Sequence, residues 1–140
     1  MKSHYRAVVI GGGVVGASAL YHLAKMGWND VVLVEKIEYT SGSTWHAAGL
    51  LPLFNMSYSV GKIHKYSVDL YQSLEEETGQ HVSFHKTGNL RLARNQERMD
   101  EYKRYCGTAS TIGVPFEMIG PAEIKKLWPF AKVDDLVGAL

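Results

Sequence analysis

The 140 residues suffice for one globular domain, since domains usually contain roughly 100–200 residues. Fifteen Lys and Arg against 14 Asp and Glu give a net charge of +1, which provides no electrostatic reason to expect nucleic acid or an acidic partner. The apolar runs are far shorter than the roughly 20 residues of a membrane span, and the single cysteine, Cys106, excludes an intrachain disulfide and a multi-cysteine metal site.

The beginning of the chain predicts a strand, a glycine turn, a helix and a second strand. Residues 7–10 are an apolar run that ends at Gly11, which is typical of a buried strand. Residues 14–26 have apolar side chains at helical spacing, and Gly27 is placed to end that helix. The β-branched run 31–34 predicts the second strand. Two strands separated by one helix imply parallel pairing with a right-handed crossover.

The rest of the chain predicts helices and short strands in alternation. Residues 39–49 are rich in Ser, Thr, Gly and Ala, which favours a loop or a loop that opens a short helix. Apolar spacing, glycine and proline predict the following further elements: a helix over 61–78, a strand over 90–93, a helix from 96 to about 110, a strand over 114–119, a helix beginning at Pro121 and a strand over 136–140.

The turn after the first strand carries the spacing G-x-G-x-x-G at Gly11, Gly13 and Gly16. Gly11 permits a tight turn, Gly13 lets a pyrophosphate approach the backbone, and Gly16 allows the helix to pack closely on the sheet. The N–H groups of the first helical turn and the helix dipole then bind the phosphates. Glu35 follows the second strand, where a carboxylate accepts hydrogen bonds from both hydroxyls of an adenosine ribose and repels a 2′-phosphate. The pattern predicts a dinucleotide site and leaves NAD and FAD open; a glycine-rich turn of an unrelated α/β fold is the alternative.

A segment of small residues, 40–50, follows this acid closely. Small side chains let backbone amides approach a ligand, and Ser41, Ser43 and Thr44 add hydroxyl groups. His46 lies in the middle of the segment, and an imidazole is a good nucleophile in its neutral form. Without its flanking residues, His46 is better interpreted as a histidine that lines the site or packs under the loop.

With its flanking residues, this segment resembles a known family. The chain is similar to the N-terminal part of dimethylglycine dehydrogenase, sarcosine dehydrogenase and dimethylglycine oxidase, which are flavoproteins of the D-amino-acid-oxidase-like superfamily. The similarity extends over nearly all 140 residues, and its most specific part is Ser43-Thr44-Trp45-His46-Ala47-Ala48-Gly49-Leu50. The other matching stretches are 8–13, 21–25, 31–36, 74–80 and 88–93.

The resemblance implies an α/β, Rossmann-like FAD-binding domain, of which residues 1–140 are an incomplete N-terminal part. It also implies that FAD is attached covalently, through a ring nitrogen of His46 and the 8α-methyl carbon of the flavin. The further FAD contacts that it implies, beside Gly11, Gly13 and Gly16, are Val14, Val15, Glu35, Lys36, Gly42, Ser43, Thr44, Trp45, Ala47, Ala48, Gly49 and Leu50.

The activity implied by the resemblance is oxidation of the C–N bond of an N-methylated glycine, dimethylglycine or sarcosine, with the flavin accepting a hydride. Electron-transfer flavoprotein or oxygen would then accept the electrons, and a longer protein could use tetrahydrofolate. Catalytic residues are expected downstream of residue 140. Two alternatives stay open: an NAD-dependent Rossmann dehydrogenase, and a noncatalytic truncated remnant that binds only the ADP moiety.

The sequence also predicts that a metal site, a nucleic-acid or membrane partner and a targeting segment are absent. Histidines other than His46 lack metal-ligand spacing, so no metal site is predicted. Neither nucleic acid nor a membrane is expected as a partner. The first residues resemble neither a signal peptide nor an Arg- and Ser-rich presequence, which predicts a cytoplasmic protein, or one of the mitochondrial matrix if the source is eukaryotic.

Overall fold

The chain forms two compact units in a computed structural model that describes residues 2–140. The first unit is Met1–Leu50 and the second is Leu51–Leu140. The first contains the glycine turn and the histidine segment, and the second contains the remaining helices and strands.

The first unit is a strand–helix–strand motif. Strand β1, Ala7–Ile10, and strand β2, Val31–Val34, pair in parallel. Helix α1, Val14–Lys25, connects them and ends next to Gly27, which adopts a left-handed φ of 85°. The predicted order of elements and the parallel pairing are confirmed.

This first unit has little core of its own. Within residues 2–50 only Gly12 is buried. Val8 and Ile10 lie on one face of β1 and are 52% and 86% exposed, because the sheet has two strands and no element within residues 2–50 of the first unit covers this face. Apolar burial therefore contributes little to the stability of this unit.

The second unit contains three helices and a small antiparallel pair. The elements, in chain order, are α2 Tyr58–Thr78, β3 Leu92–Ala93, α3 Gln96–Ile112, α4 Pro121–Leu127 and β4 Gly138–Ala139. Strand pairing extends by one residue beyond β3, since the Arg91 N–H donates to the Leu140 carbonyl and the Leu140 N–H donates to the Arg91 carbonyl. Pro121 is the first residue of α4, as the sequence predicts.

Two clusters of buried side chains hold this unit together. The first contains Ala93, Tyr102, Cys106 and Leu140, and the second contains Ile119, Ile124 and Ala139. Burial raises the pKa of the Cys106 thiol, which disfavours the reactive thiolate.

The predicted strand over 114–119 is wrong except at its last residue. The Val114 N–H donates to the Ala109 carbonyl and so completes the end of α3, and Pro115 has no N–H to donate. Ile119 alone pairs with Ala139, through two hydrogen bonds of 2.9 Å. The Val114 N–H, which the predicted strand required for pairing, is therefore used to cap α3.

The predicted start of the long helix at Gly61 is also wrong. Helix α2 begins at Tyr58, and the Ser57 hydroxyl caps it by accepting from the Val60 N–H. A Cβ atom at Gly61 would lie 2.4 Å from Cδ1 of Ile112 in α3. Gly61 therefore marks a close approach of two helices and not a helix end.

Candidate functional site

The glycine turn adopts a backbone that other residues do not tolerate at two of its positions. Gly11 has a φ of 106°, a left-handed conformation that glycine adopts without a steric penalty. A Cβ atom at Gly16 would lie 1.9 Å from the carbonyl oxygen of Gly11, so any side chain there would collide with the backbone of the turn. The sequence predicted these two roles, a tight turn and a close helix approach.

Helix α1 presents its N-terminus beside this turn. The first N–H groups of a helix have no acceptor in the preceding turn, and the helix dipole adds partial positive charge there. Gly13 is the N-cap residue and supplies no side-chain hydrogen bond. The side chains of Val14 and Val15 at the start of the helix are exposed. The backbone N–H groups of this end are arranged as in sites that bind phosphate.

Glu35 supports the turn from the end of β2. One oxygen, Oε2, accepts from the Gly12 N–H at 2.7 Å. The other, Oε1, accepts from the N–H groups of Lys36 at 2.7 Å and Ile37 at 3.1 Å. A carboxylate has about four lone-pair positions, so these bonds leave one, on Oε2, for a ribose hydroxyl in this side-chain conformation. The sequence predicted two such hydroxyl contacts.

The acid titration of Glu35 follows from these contacts. The Gly12 N–H, and after it the Ile37 N–H, hold the pKa of the Glu35 carboxyl below its ordinary 4.5. Because the folded pKa is the lower one, the carboxylate stabilises the fold above pH 4.5. That contribution is lost as the pH falls through the folded pKa. We expect an NMR titration of the Glu35 carboxyl carbon to have its midpoint below 4.5, with Glu35→Gln assigning the signal. A midpoint at or above the ordinary value would contradict this account.

The segment after β2 is hydrogen-bonded to the glycine turn at two points. The Thr40 N–H donates to the Gly12 carbonyl at 3.0 Å, and the Val14 N–H donates to Oγ1 of Thr44 at 2.9 Å. Between them, the Trp45 N–H donates to the Thr40 carbonyl at 3.1 Å. Residues Ser43–His46 form a short 3₁₀ helix. The predicted loop that opens a short helix is confirmed, and Thr44 reaches the helix end that the sequence assigns to phosphate.

His46 is exposed at the end of this 3₁₀ helix. Its Nδ1 lies 3.1 Å from the Gly42 carbonyl oxygen. A carbonyl oxygen only accepts, so Nδ1 carries the proton of this bond and the neutral ring has its lone pair on Nε2. The imidazole is therefore oriented by its own segment with one nitrogen available for chemistry.

The other residues that the sequence assigns to FAD have fewer contacts. Lys36 contributes its backbone N–H to Glu35, and its side chain is exposed. The Ala47 N–H donates to the Thr44 carbonyl at 3.2 Å. The following residues all have exposed side chains or backbone: Gly42, Ser43, Trp45, Ala47, Ala48, Gly49 and Leu50. The structure brings Thr44 and Glu35 to the glycine turn and leaves these seven on an open surface.

Two residues of the site, Gly12 and Thr40, have structural roles that the sequence did not predict. Gly12 donates to Glu35, and a Cβ atom there would lie 2.4 Å from Cδ1 of Tyr39. Thr40 adopts a left-handed φ of 65°, which is unusual for a β-branched residue. The run of three consecutive glycines was a readable signal for Gly12, whereas nothing in the sequence marks the conformation of Thr40.

Two further classes of site are not formed by the part of the chain that the structure describes. Among residues 2–140, no group of three or more His, Cys, Asp or Glu side chains is arranged to hold a metal ion. No helix in these residues has both the length and the apolar character that crossing a membrane requires.

Comparison with known proteins identifies relatives over the whole chain. The chain is 47% identical to rat mitochondrial dimethylglycine dehydrogenase over 99% of its own length and 16% of that protein. It is 41% identical to the mouse mitochondrial pyruvate dehydrogenase phosphatase regulatory subunit, over 100% of this chain and 16% of that protein. It is 43% identical to human mitochondrial sarcosine dehydrogenase, over 100% of this chain and 15% of that protein. The chain thus spans about one sixth of the length of the curated relatives that it matches.

A solved structure shows the same fold. The L-proline dehydrogenase of P. horikoshii superposes with a TM-score of 0.89 and 32% sequence identity, over 99% of this chain and 36% of that one. This agrees with the predicted α/β, Rossmann-like fold. The family model described as "DAO: FAD dependent oxidoreductase" matches residues 6–140. The chain therefore belongs to the DAO family of FAD-dependent oxidoreductases.

Proposed function

We propose that this chain is the N-terminal, FAD-holding part of an oxidoreductase that oxidises the C–N bond of an N-methylated glycine, dimethylglycine or sarcosine. The observation that carries the proposal is the glycine turn braced by Glu35, in a chain whose family uses FAD. The small fraction of the relatives' length that is matched supports interpreting residues 1–140 as one part of a larger domain.

The residues at the turn fit the ADP half of FAD. Gly13 and Val15 offer backbone N–H groups to the pyrophosphate, because no side chain at Gly13 stands in the way, whereas the Val14 N–H is bonded to Thr44. Glu35 is ionised and keeps one lone-pair position for a ribose hydroxyl. Lys36 lies next to it, and Val14 and Val15 line the helix start. Gly42, Ser43, Trp45 and the run Ala47, Ala48, Gly49 and Leu50 supply an open surface for the rest of the cofactor.

We place the covalent attachment at His46. The bond would join Nε2, the nitrogen not engaged with Gly42, to the 8α-methyl carbon of the flavin. Formation of the bond would use the Nε2 lone pair and would remove one hydrogen from the methyl group and the proton that Nδ1 carries in the neutral ring, while dioxygen takes up the two electrons and two protons as hydrogen peroxide. The exposed ring and the resemblance of the flanking residues to the family's motif support this assignment.

The flavin supplies hydride acceptance when bound, and this chain supplies binding and orientation. The electron acceptor that we propose is electron-transfer flavoprotein or oxygen, and tetrahydrofolate is the proposed one-carbon acceptor of the complete protein. Proton-handling residues are placed downstream of residue 140. The proposed location is the cytoplasm in a bacterial source and the mitochondrial matrix in a eukaryotic one, as for the rat and human relatives.

A noncatalytic protein is the second candidate. It is favoured by one specific observation, the 41% identity to a mouse protein whose name denotes a regulatory subunit. Such a protein would keep the nucleotide-binding turn and lack turnover. The NAD-dependent alternative has less support, because the matching family model describes FAD dependence.

Anaerobic mixing of the complete gene product with dimethylglycine or sarcosine tests the proposal. We expect either amine to bleach the visible absorbance of the bound flavin, because the flavin takes up two electrons when the C–N bond is oxidised. Trimethylglycine is the matched control, since its quaternary nitrogen has no lone pair to form an iminium ion and it should leave the flavin oxidised.

The other results separate the alternatives. Bound flavin that no N-methylated amino acid bleaches would favour the noncatalytic candidate. A protein that purifies without flavin and binds NADH would overturn the FAD assignment in favour of an NAD-dependent enzyme.

A further inference from the structure

The N-terminus of α1 is capped by a side chain that is distant in the sequence. Its own N-cap residue, Gly13, has no side chain, and the hydroxyl of Thr44, thirty residues later, accepts from the Val14 N–H at 2.9 Å. Thr44 is half-buried, whereas its neighbours Ser43 and Trp45 are exposed. A Cβ atom at Gly13 would approach Oγ1 of Thr44 to 3.0 Å, so the glycine also makes room for this contact.

The same residue belongs to the element that carries His46. Thr44 and His46 lie in one 3₁₀ helix, Ser43–His46, and the His46 ring is bonded within that element through Nδ1 and the Gly42 carbonyl. The Trp45 N–H donates to the Gly42 carbonyl and the Ala47 N–H donates to the Thr44 carbonyl, so backbone hydrogen bonds link the residues on both sides of His46 to this element. Fixing Thr44 against α1 therefore fixes the imidazole relative to the pyrophosphate-binding turn.

We infer that Thr44 is a positioning residue for flavin attachment: its hydroxyl anchors the His46 segment on the start of α1 and so presents the imidazole to the flavin. The inference rests on the proposed covalent role of His46. Thr44 itself takes no part in bond formation. A second anchor, the Thr40 N–H on the Gly12 carbonyl, holds the beginning of the segment, so loss of the Thr44 hydroxyl leaves the histidine-bearing end attached only through the bond from the Trp45 N–H to the Thr40 carbonyl.

The test compares Thr44→Val with Thr44→Ser in the complete gene product. Valine has nearly the shape of threonine and no acceptor for the Val14 N–H, whereas serine keeps the hydroxyl. We expect Thr44→Val to retain noncovalent FAD and to lower the fraction of FAD that stays on the protein after acid precipitation by on the order of tenfold or more, because small misplacements of a reacting group have effects of that size. Thr44→Ser should restore the wild-type fraction.

Asn95→Ala is the matched control, because Asn95 caps α3 by accepting from the Arg98 N–H at 2.9 Å. It removes one helix cap of the same kind, so a general loss of stability would appear in it as well. Its covalent fraction should equal that of the wild type.

Each outcome decides between the inference and the proposed function. A wild-type covalent fraction in Thr44→Val, or loss of all FAD from it, would overturn the positioning role, whereas a wild-type protein without covalent flavin would overturn the role of His46 instead. Amide hydrogen exchange in the cofactor-free protein gives an independent readout. The Val14 N–H should exchange faster in Thr44→Val than in the wild type, and equal rates would show that the anchor does not hold the segment.

Discussion

Replacing Gly16 with alanine is expected to abolish FAD retention. The added Cβ atom would lie 1.9 Å from the Gly11 carbonyl oxygen; the backbone of residue 16 fixes the Cβ position and the oxygen is itself backbone, so neither can rotate away. Overpacking costs about 1–3 kcal/mol or more, and here the displaced atoms belong to the turn that binds pyrophosphate. The measurement is flavin content per polypeptide after gel filtration of the complete gene product, together with its thermal unfolding.

Gly107→Ala is the matched control for this change. Gly107 lies within α3, and a Cβ atom there would meet no heavy atom within 4 Å. Alanine should keep full flavin content and stabilise the helix by about 0.5–1 kcal/mol. Stoichiometric FAD in Gly16→Ala would show that the turn does not hold the cofactor as we propose.

Replacing His46 with alanine is expected to reduce acid-stable flavin from about one per chain to none. The protein should still bind FAD noncovalently, because the turn, Glu35 and the Thr44 anchor do not depend on the imidazole. Peptide mass mapping after acid denaturation measures this directly. In the wild type, the peptide that contains residue 46 should carry the flavin mass.

His85→Ala serves as the control, since His85 is an exposed histidine of the second unit. It should retain the full flavin adduct. An adduct that persists in His46→Ala would place the attachment elsewhere, and a wild-type peptide without flavin would leave FAD bound noncovalently.

The sequence predicted those parts of the fold that depend on local signals. The β-branched runs 7–10 and 31–34 and the glycines at both ends of α1 define their elements without help from distant residues. The prediction of a strand over 114–119 was wrong although these residues have an apolar pattern. The Val114 N–H closes α3, and Pro115 has no N–H to donate to a neighbouring strand. Competition between helix capping and strand pairing is settled by tertiary context.

The site was predictable in its residue types but not in its connections. Spacing alone indicates Gly11, Gly16 and Glu35, because each acts within one supersecondary motif. The bond from the Val14 N–H to Thr44 joins residues thirty positions apart, and the left-handed conformation of Thr40 is against its intrinsic preference. This hydrogen bond and this backbone conformation both depend on how residues 40–46 fold back on the glycine turn. A local sequence pattern does not predict such a long-range arrangement.

The scarcity of buried side chains in the first unit means that residues 2–50 gain stability from what they bind, which we propose to be FAD and the remainder of the domain. A unit that encloses only Gly12 among residues 2–50 has a small intrinsic free energy of folding to draw on. By thermodynamic linkage, a ligand at one hundred times its dissociation constant adds about 2.7 kcal/mol to the folded state. Flavin bound at the glycine turn would therefore add to the stability of the first unit, and its removal would lower the thermal stability of the complete protein.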